Sequence, residues 1–197
     1  MMTRNENLKT YSIKEIPHYH IYGRTDKTQN LLPLFWNGSG IEVNVTGSEL
    51  WIDLDVDCSF HEPWIATELN GAFMSRQMLL PGSYSICLFR SMTFGVPKTM
   101  KFFRELQAMS EDDDCHVFVR GFRCDGEFLP VKEHKYKIEF IGDSITSGEG
   151  TYGALPDTDW LAMYMSSSEN YATYTAKALY ADYRLISQGR WGVLWGW

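Results

Sequence analysis

Ser144 follows an apolar run in the stretch Phe140-Ile141-Gly142-Asp143-Ser144-Ile145-Thr146-Ser147-Gly148-Glu149-Gly150. A serine hydroxyl is a weak nucleophile unless a general base takes its proton. It must also sit where fixed N–H donors can meet a developing oxyanion. The end of a parallel strand offers both, because ligands of open α/β sheets bind beyond the carboxyl ends of the strands. The backbone N–H of Ser144 can itself face an oxyanion there. The plainer reading is a serine that caps a turn. Two better-known glycine motifs fail: G-x-S-x-G needs Gly at position 146, where Thr146 stands, and a Walker loop needs Lys after Gly148, where Glu149 stands.

The base is the missing part. The histidines are His18, His20, His61, His116 and His134, and all precede Ser144. His18 and His20 are spaced to put both rings on one face of a strand, a two-ligand arrangement for a metal with no third ligand nearby. His61 beside Glu62 reads as a loop residue. No metal and no cofactor are expected.

The segment around Ser144 must be positioned by strands and a helix. Residues 135–144 read as a strand, apolar on alternate and then consecutive positions, as on entry into a buried parallel sheet. A Gly-, Pro- and Asp-rich loop follows to about residue 165. Residues 166–183 read as helical, with Ser166 and Glu169 as a capping box and Tyr171, Tyr174, Thr175, Ala178 and Leu179 in one stripe. Tyr183 to Gly189 then reads as a second strand. Strand, helix, strand is the opening unit of an α/β domain. Two strands are fewer than such a sheet needs, so a larger protein, or a second polypeptide completing the α/β domain, is expected.

Before residue 135 the pattern has period two. Ile41, Val43 and Val45 alternate with Glu42 and Asn44, and Leu50, Ile52, Leu54 and Val56 alternate with Trp51, Asp53 and Asp55. This predicts two half-buried antiparallel strands joined by a short Gly-containing turn, as in a hairpin. Asn70-Gly71, Pro81-Gly82 and Asp125-Gly126 mark further turns. Residues 98–109 suit a helix or a strand equally. The fold class expected is an N-terminal all-β sandwich (jelly roll) over 1–134, then the start of an α/β domain over 135–197.

Composition excludes several classes. The net charge is −7, without a basic cluster, which argues against a nucleic-acid surface. The run Glu111-Asp112-Asp113-Asp114 reads as a solvated loop. No stretch approaches the ~20 apolar residues of a membrane span, and the first residues lack an apolar leader run. A cytoplasmic protein with reduced thiols at Cys58, Cys87, Cys115 and Cys124 is the expectation. Asn37-Gly38-Ser39 and Asn44-Val45-Thr46 fit the glycosylation pattern, read here as coincidence.

The stretch Gly142-Asp143-Ser144-Ile145-Thr146, with Gly148 beyond it and an apolar strand before it, resembles the first block of the GDSL/SGNH hydrolases. Leu185-Ile186-Ser187-Gln188-Gly189-Arg190-Trp191-Gly192 occupies the place of that family's second block. A β-sandwich ahead of the serine, with Tyr22-Gly23-Arg24-Thr25 and Phe35-Trp36-Asn37-Gly38-Ser39-Gly40, is similar to the acetyl esterases of the second carbohydrate esterase family. The resemblance implies a flavodoxin-like three-layer SGNH domain and deacylation of a saccharide or small-molecule ester. It implies Ser144 as nucleophile and oxyanion N–H, the N–H of Gly189, Arg190 or Gly192 as a second donor with Gly189 favoured, and Asp143 as a brace for the turn. Trp160 and Trp191 are candidate walls of a sugar site. The family's G-x-N-D and D-x-x-H blocks, with the oxyanion Asn and the base, are absent from these 197 residues, so this chain alone is expected to be near inactive. The competing reading is a non-catalytic β-sandwich that binds a carbohydrate or a partner, followed by a remnant hydrolase segment.

Overall fold

The computed structural model describes residues 6–26, 28–109, 111–112 and 114–189. In chain order the strands are β1 (Lys9–Ser12), β2 (His20–Tyr22), β3 (Leu32–Leu34), β4 (Gly40–Val45), β5 (Leu50–Asp57), β6 (Trp64–Leu69), β7 (Ala72–Met78), β8 (Gly82–Phe89), β9 (Lys98–Arg104), β10 (His116–Cys124), β11 (Phe128–Leu129), β12 (Tyr136–Gly142) and β13 (Ala181–Ser187). Two α-helices, α1 (Ser144–Ser147) and α2 (Tyr171–Ala178), lie between β12 and β13. No helix among the described residues is long and apolar enough to cross a membrane.

The strands up to β11 form two antiparallel sheets. One runs β1-β10-β5-β8, with β3 also on β10; the other runs β11-β4-β9-β6-β7, with β2 also on β4. Their inward residues share one core. Ile41, Val43 and Val45 of β4 and Met100 and Phe102 of β9 meet Ile52 and Leu54 of β5 and Val117 and Val119 of β10. Period-two alternation builds this core, because every second side chain of a strand points to the same face.

The alternation is as expected, but the pairing is not. β4 and β5 are not a hairpin: β4 pairs with β9 and β5 with β10 and β8, so residues 46–49 cross from one sheet to the other. Asp125 holds this arch, accepting from Ser48 N at 2.8 Å and Glu49 N at 3.1 Å. The turn Asp125-Gly126 likewise leads to the opposite sheet, since β11 pairs with β4. Asn70-Gly71 does form a hairpin, joining β6 to β7 with φ of 51° and 81°, the two positive values of a type I′ turn. The segment 98–109, open between helix and strand, begins as β9.

β12 and β13 pair in parallel, from Tyr136↔Ala181 to Gly142↔Ser187. One face of this pair is covered: Tyr183 and Leu185 of β13 and Ala172 and Ala176 of α2 pack with Tyr22 of β2. That covering reaches the outer face of the second sheet, so β9 is buried on both faces from Met100 to Arg104. Lys101 lies in this junction, 3.9 Å above the Tyr22 ring and 3.2 Å from the Tyr183 hydroxyl. Burial opposes its charge, but Tyr183, Glu68 and Glu42 outweigh that and hold its pKa above the usual lysine value. Lys177 of α2 adds a 2.6 Å ion pair to Glu68 of β6.

Helix α2 departs from the expected pattern in two ways. Its N-cap is Asn170, whose side chain accepts from Thr173 N at 3.0 Å, rather than Ser166. The Tyr171, Tyr174, Thr175, Ala178 and Leu179 stripe is exposed, and the buried side is Ala172, Thr173 and Ala176. Small side chains let the helix approach β13 closely, so the larger apolar ones face outward. The acidic run also differs. Asp112 is buried at 1% exposure and accepts from the backbone N–H of Ser59, Phe60 and His61 at 3.1, 3.0 and 2.9 Å. Asp113 lies outside the described residues.

Candidate active site

β12 ends at Gly142, and the chain turns sharply into α1. Glycine is required at 142 and 148 by close approach: a Cβ at Gly142 would stand 2.0 Å from Thr146 Oγ1, and one at Gly148 1.9 Å from the Ser166 carbonyl. Gly148 also has φ of 74°, the left-handed conformation that ends a helix at low cost. Asp143 caps α1, its carboxylate accepting from Ile145 N at 3.0 Å. Ser144 is the first residue of α1 and half-buried. Among the described residues its hydroxyl engages in no hydrogen bond, while its carbonyl accepts from Glu149 N at 3.0 Å.

The parallel register defines the edge on which Ser144 sits. Gly142 and Ser187 are paired, so Ser144 and Gly189 each lie two residues beyond the common end of adjacent strands. Gly189 lies against the Glu149 carboxylate, whose Oε2 would be 2.8 Å from a Cβ there. The other oxygen, Oε1, accepts from Trp160 Nε1 at 2.7 Å. Trp160 in turn meets the His61 ring edge-on at 5.2 Å between centroids. The structure thus brings Ser144, Glu149, Trp160 and Gly189 to one end of the parallel pair. Trp191, Arg190 and Gly192 lie outside the described residues.

None of the histidines contacts Ser144. His20 pairs with Asp182 at 3.2 Å, and His134 bonds Tyr180 O at 3.1 Å and Tyr22 OH at 3.3 Å. Both sit at the start of β12 and β13, a strand length of about 20 Å from Ser144 at the usual rise per residue. His18 is exposed and outside β2, so the expected two rings on one strand face do not occur. His116 lies on β10 beside Phe118. His61 approaches the serine's side of the molecule, through Trp160, but its Nε2 is engaged with Glu111 at 3.3 Å. No group of three or more His, Cys, Asp and Glu among the described residues is arranged to hold a metal ion.

The loop bearing His61 rests on Asp112. Burial works against ionised Asp112, but the N–H donors of His61, Phe60 and Ser59 outweigh it and keep its pKa below the ordinary carboxylate value. A depressed folded-state pKa contributes stability that is present above the unfolded value of about 3.9 and lost as pH falls through the folded value. The amide resonances of Ser59, Phe60 and His61 should therefore shift together in a transition with a midpoint below about pH 3.9. Asp112→Asn should abolish that transition. A midpoint at or above the unfolded value would contradict the assignment.

The sequence reading missed the groups that hold α1 in place. Ser166 N donates to the Gly148 carbonyl at 3.0 Å, so the serine run 166–168 packs directly against the end of α1. That run is gathered by Glu105, a fully buried carboxylate just after β9. Glu105 accepts from Ser167 N at 2.7 Å, Ser168 N at 2.9 Å and Ser167 Oγ at 3.0 Å, and from the hydroxyls of Ser166 and Ser168. The run of three serines ahead of the helix was its only visible trace in the sequence.

Comparison with protein-family models and with curated protein sequences gives no match. Among solved structures the chain is similar to an acetyl xylan esterase (Est2A) from the rumen bacterium Butyrivibrio proteoclasticus. The identity is 57% and the TM-score 0.93, covering 96% of this chain and 51% of that one. It is also similar to a family two carbohydrate esterase from Clostridium thermocellum in complex with cellohexaose, at 24% identity and TM-score 0.81 over 91% of this chain and 54% of that one. A family two carbohydrate esterase from Cellvibrio japonicus matches at 24% identity and TM-score 0.81 over 96% and 56%. At 24% the likeness is one of fold. The chain spans about half the length of the solved chains it matches.

Proposed function

The chain resembles the family two carbohydrate esterases over nearly all of its length, and from that premise we propose that it carries the nucleophile of a serine esterase that removes acyl, chiefly acetyl, groups from a carbohydrate ester. The two antiparallel sheets are read as the jelly roll of such an enzyme. The β12–α2–β13 unit is read as the opening of its three-layer SGNH domain. Ser144 attacks the ester carbonyl, and the N–H groups of Ser144 and Gly189 face the oxyanion. Asp143 holds the turn and does not react. Trp160, which donates to Glu149 beside Gly189, is read as a wall of the sugar site.

The observation that carries this reading is the common end of β12 and β13, beyond which Ser144 and Gly189 each follow by two residues, the Ser144 hydroxyl having no hydrogen-bond partner among the described residues. Since none of the five histidines hydrogen-bonds Ser144, and His20, His61 and His134 are paired with other groups, the general base is assigned to polypeptide outside these residues, in a D-x-x-H segment. The Asn that completes the oxyanion hole is assigned to a G-x-N-D segment. Both are supplied by the same reading frame or by a second chain. Without a base, residual catalysis is weak.

The test is acetate release. The protein expressed from its complete reading frame should liberate acetate from acetylated xylo-oligosaccharides and from 4-nitrophenyl acetate. A folded protein that releases acetate from neither overturns the proposal.

A further inference from the structure

We propose that Asn37, supplied by the turn between β3 and β4, is a positioning residue that locks the Ser144 turn and the Gly189 segment into register. Asn37 is fully buried, although its sequence context is a glycosylation pattern. Its Nδ2 donates to the Thr146 carbonyl of α1 at 3.3 Å, and its Oδ1 accepts from Ser187 Oγ at 3.2 Å. Ser187 Oγ in turn accepts from Ser147 Oγ at 3.0 Å. The hydrogen bonds run in one direction, from the Ser147 hydroxyl through Ser187 to the Asn37 carbonyl, and from the Asn37 amide back to α1. Such a chain strengthens each member, and in a buried setting a missing member is costly. A second amide, Asn170 Nδ2, donates to the same Thr146 carbonyl at 2.7 Å.

The two ends of this ring are the two halves of the proposed site. Thr146 and Ser147 belong to the helix that Ser144 begins. Ser187 is the last residue of β13, two before Gly189. The turn that bears Asn37 is itself fixed to β9: Gly38 N donates to Arg104 O at 2.7 Å, and Arg104 N to Ser39 O at 2.8 Å. One amide from the β region therefore ties nucleophile and oxyanion segments to each other and to the sandwich. Only an amide satisfies both partners. A carboxylate would face the Thr146 carbonyl with another acceptor, and an aliphatic side chain would leave the Ser187 hydroxyl without its acceptor.

The catalytic consequence rests on the esterase reading, whereas the ordering consequence does not, so two measurements separate them. Amide exchange is followed in the protein expressed from its complete reading frame for wild type, Asn37→Ala and Ser187→Ala, the last removing only one oxygen. Exchange should rise about tenfold or more at Ser147, Gly148 and residues 187–189, with β4, β5 and β10 unchanged. In the acetate-releasing protein, Asn37→Ala should lower kcat about tenfold while KM moves less than about twofold, since geometry and not binding is lost. Unchanged exchange at α1 and 187–189, a uniform rise through β4, β5 and β10, or an unaltered kcat each overturns the proposal. A wild type without hydrolysis overturns the esterase reading, and the exchange pattern then decides on Asn37 alone.

Discussion

Ser144→Ala is expected to remove ester hydrolysis from the acetate-releasing protein, lowering kcat by a factor on the order of 10³ to 10⁶. The same variant should leave folding stability within about 0.5 kcal/mol of wild type. The two halves of this expectation have separate causes. The hydroxyl makes no hydrogen bond to the described residues, so its deletion strands no buried partner. The turn around it is held by Asp143, Gly148 and the Thr146 carbonyl, none of which changes. A turn-capping serine would behave in the opposite way, with activity retained and the end of β12 loosened. Initial rates with 4-nitrophenyl acetate and a urea titration on the same preparations distinguish the outcomes.

Glu105→Ala is expected to be the most destabilising single change considered, costing about 3–5 kcal/mol. The carboxylate is fully buried and receives backbone N–H donors from Ser167 and Ser168 and hydroxyls from all three serines. Arg76 Nε stands 3.9 Å away and would lose its nearest counter-charge. Removing one member of such a set leaves the others desolvated and unpaired, which costs more than the set contributes when intact. Glu105→Gln keeps the shape but turns one acceptor into a donor facing donors, and about 2 kcal/mol is expected for it. Urea denaturation gives both values. A loss below about 1 kcal/mol for Glu105→Ala would mean that the serines pair with one another instead, as Ser166 and Ser168 already do at 3.1 Å.

The parts legible in the sequence were those encoded locally. The Gly142-Asp143-Ser144 turn, the Asn70-Gly71 hairpin and the strand–helix–strand order each depend on residues within a few positions of one another. The partners of β4 and β5 do not. Their alternation looks the same whether they pair or cross between sheets, and the choice is made by β9 and β10 and by Asp125, far along the chain. The stripe of Tyr171, Tyr174, Thr175, Ala178 and Leu179 is visible in the sequence but does not face the core, because close packing on β13 selects Ala172, Thr173 and Ala176. Asp112 and Asn37 were hidden by their contexts, an acidic run and a glycosylation pattern. Nothing local marks either as a buried hydrogen-bonding hub. The candidate site was therefore half readable: Ser144 stands in a motif, but Asn37 and Glu105, which support its turn, stand far back along the chain, and Asn170 lies beyond a long loop.

Strand β9 and the residue after it lie at the origin of these supports, with Lys101 among the rings of Tyr22, Phe103 and Tyr183, Arg104 binding the Asn37 turn and Glu105 gathering the serines. A strand enclosed on both faces cannot slide or tilt without uncovering Phe103 and drawing a cation out of its cage. The joint between sandwich and parallel pair is therefore a weld and not a hinge. On the esterase reading, an arriving ester would then meet a Ser144 turn whose entropy of arrangement has already been spent at folding.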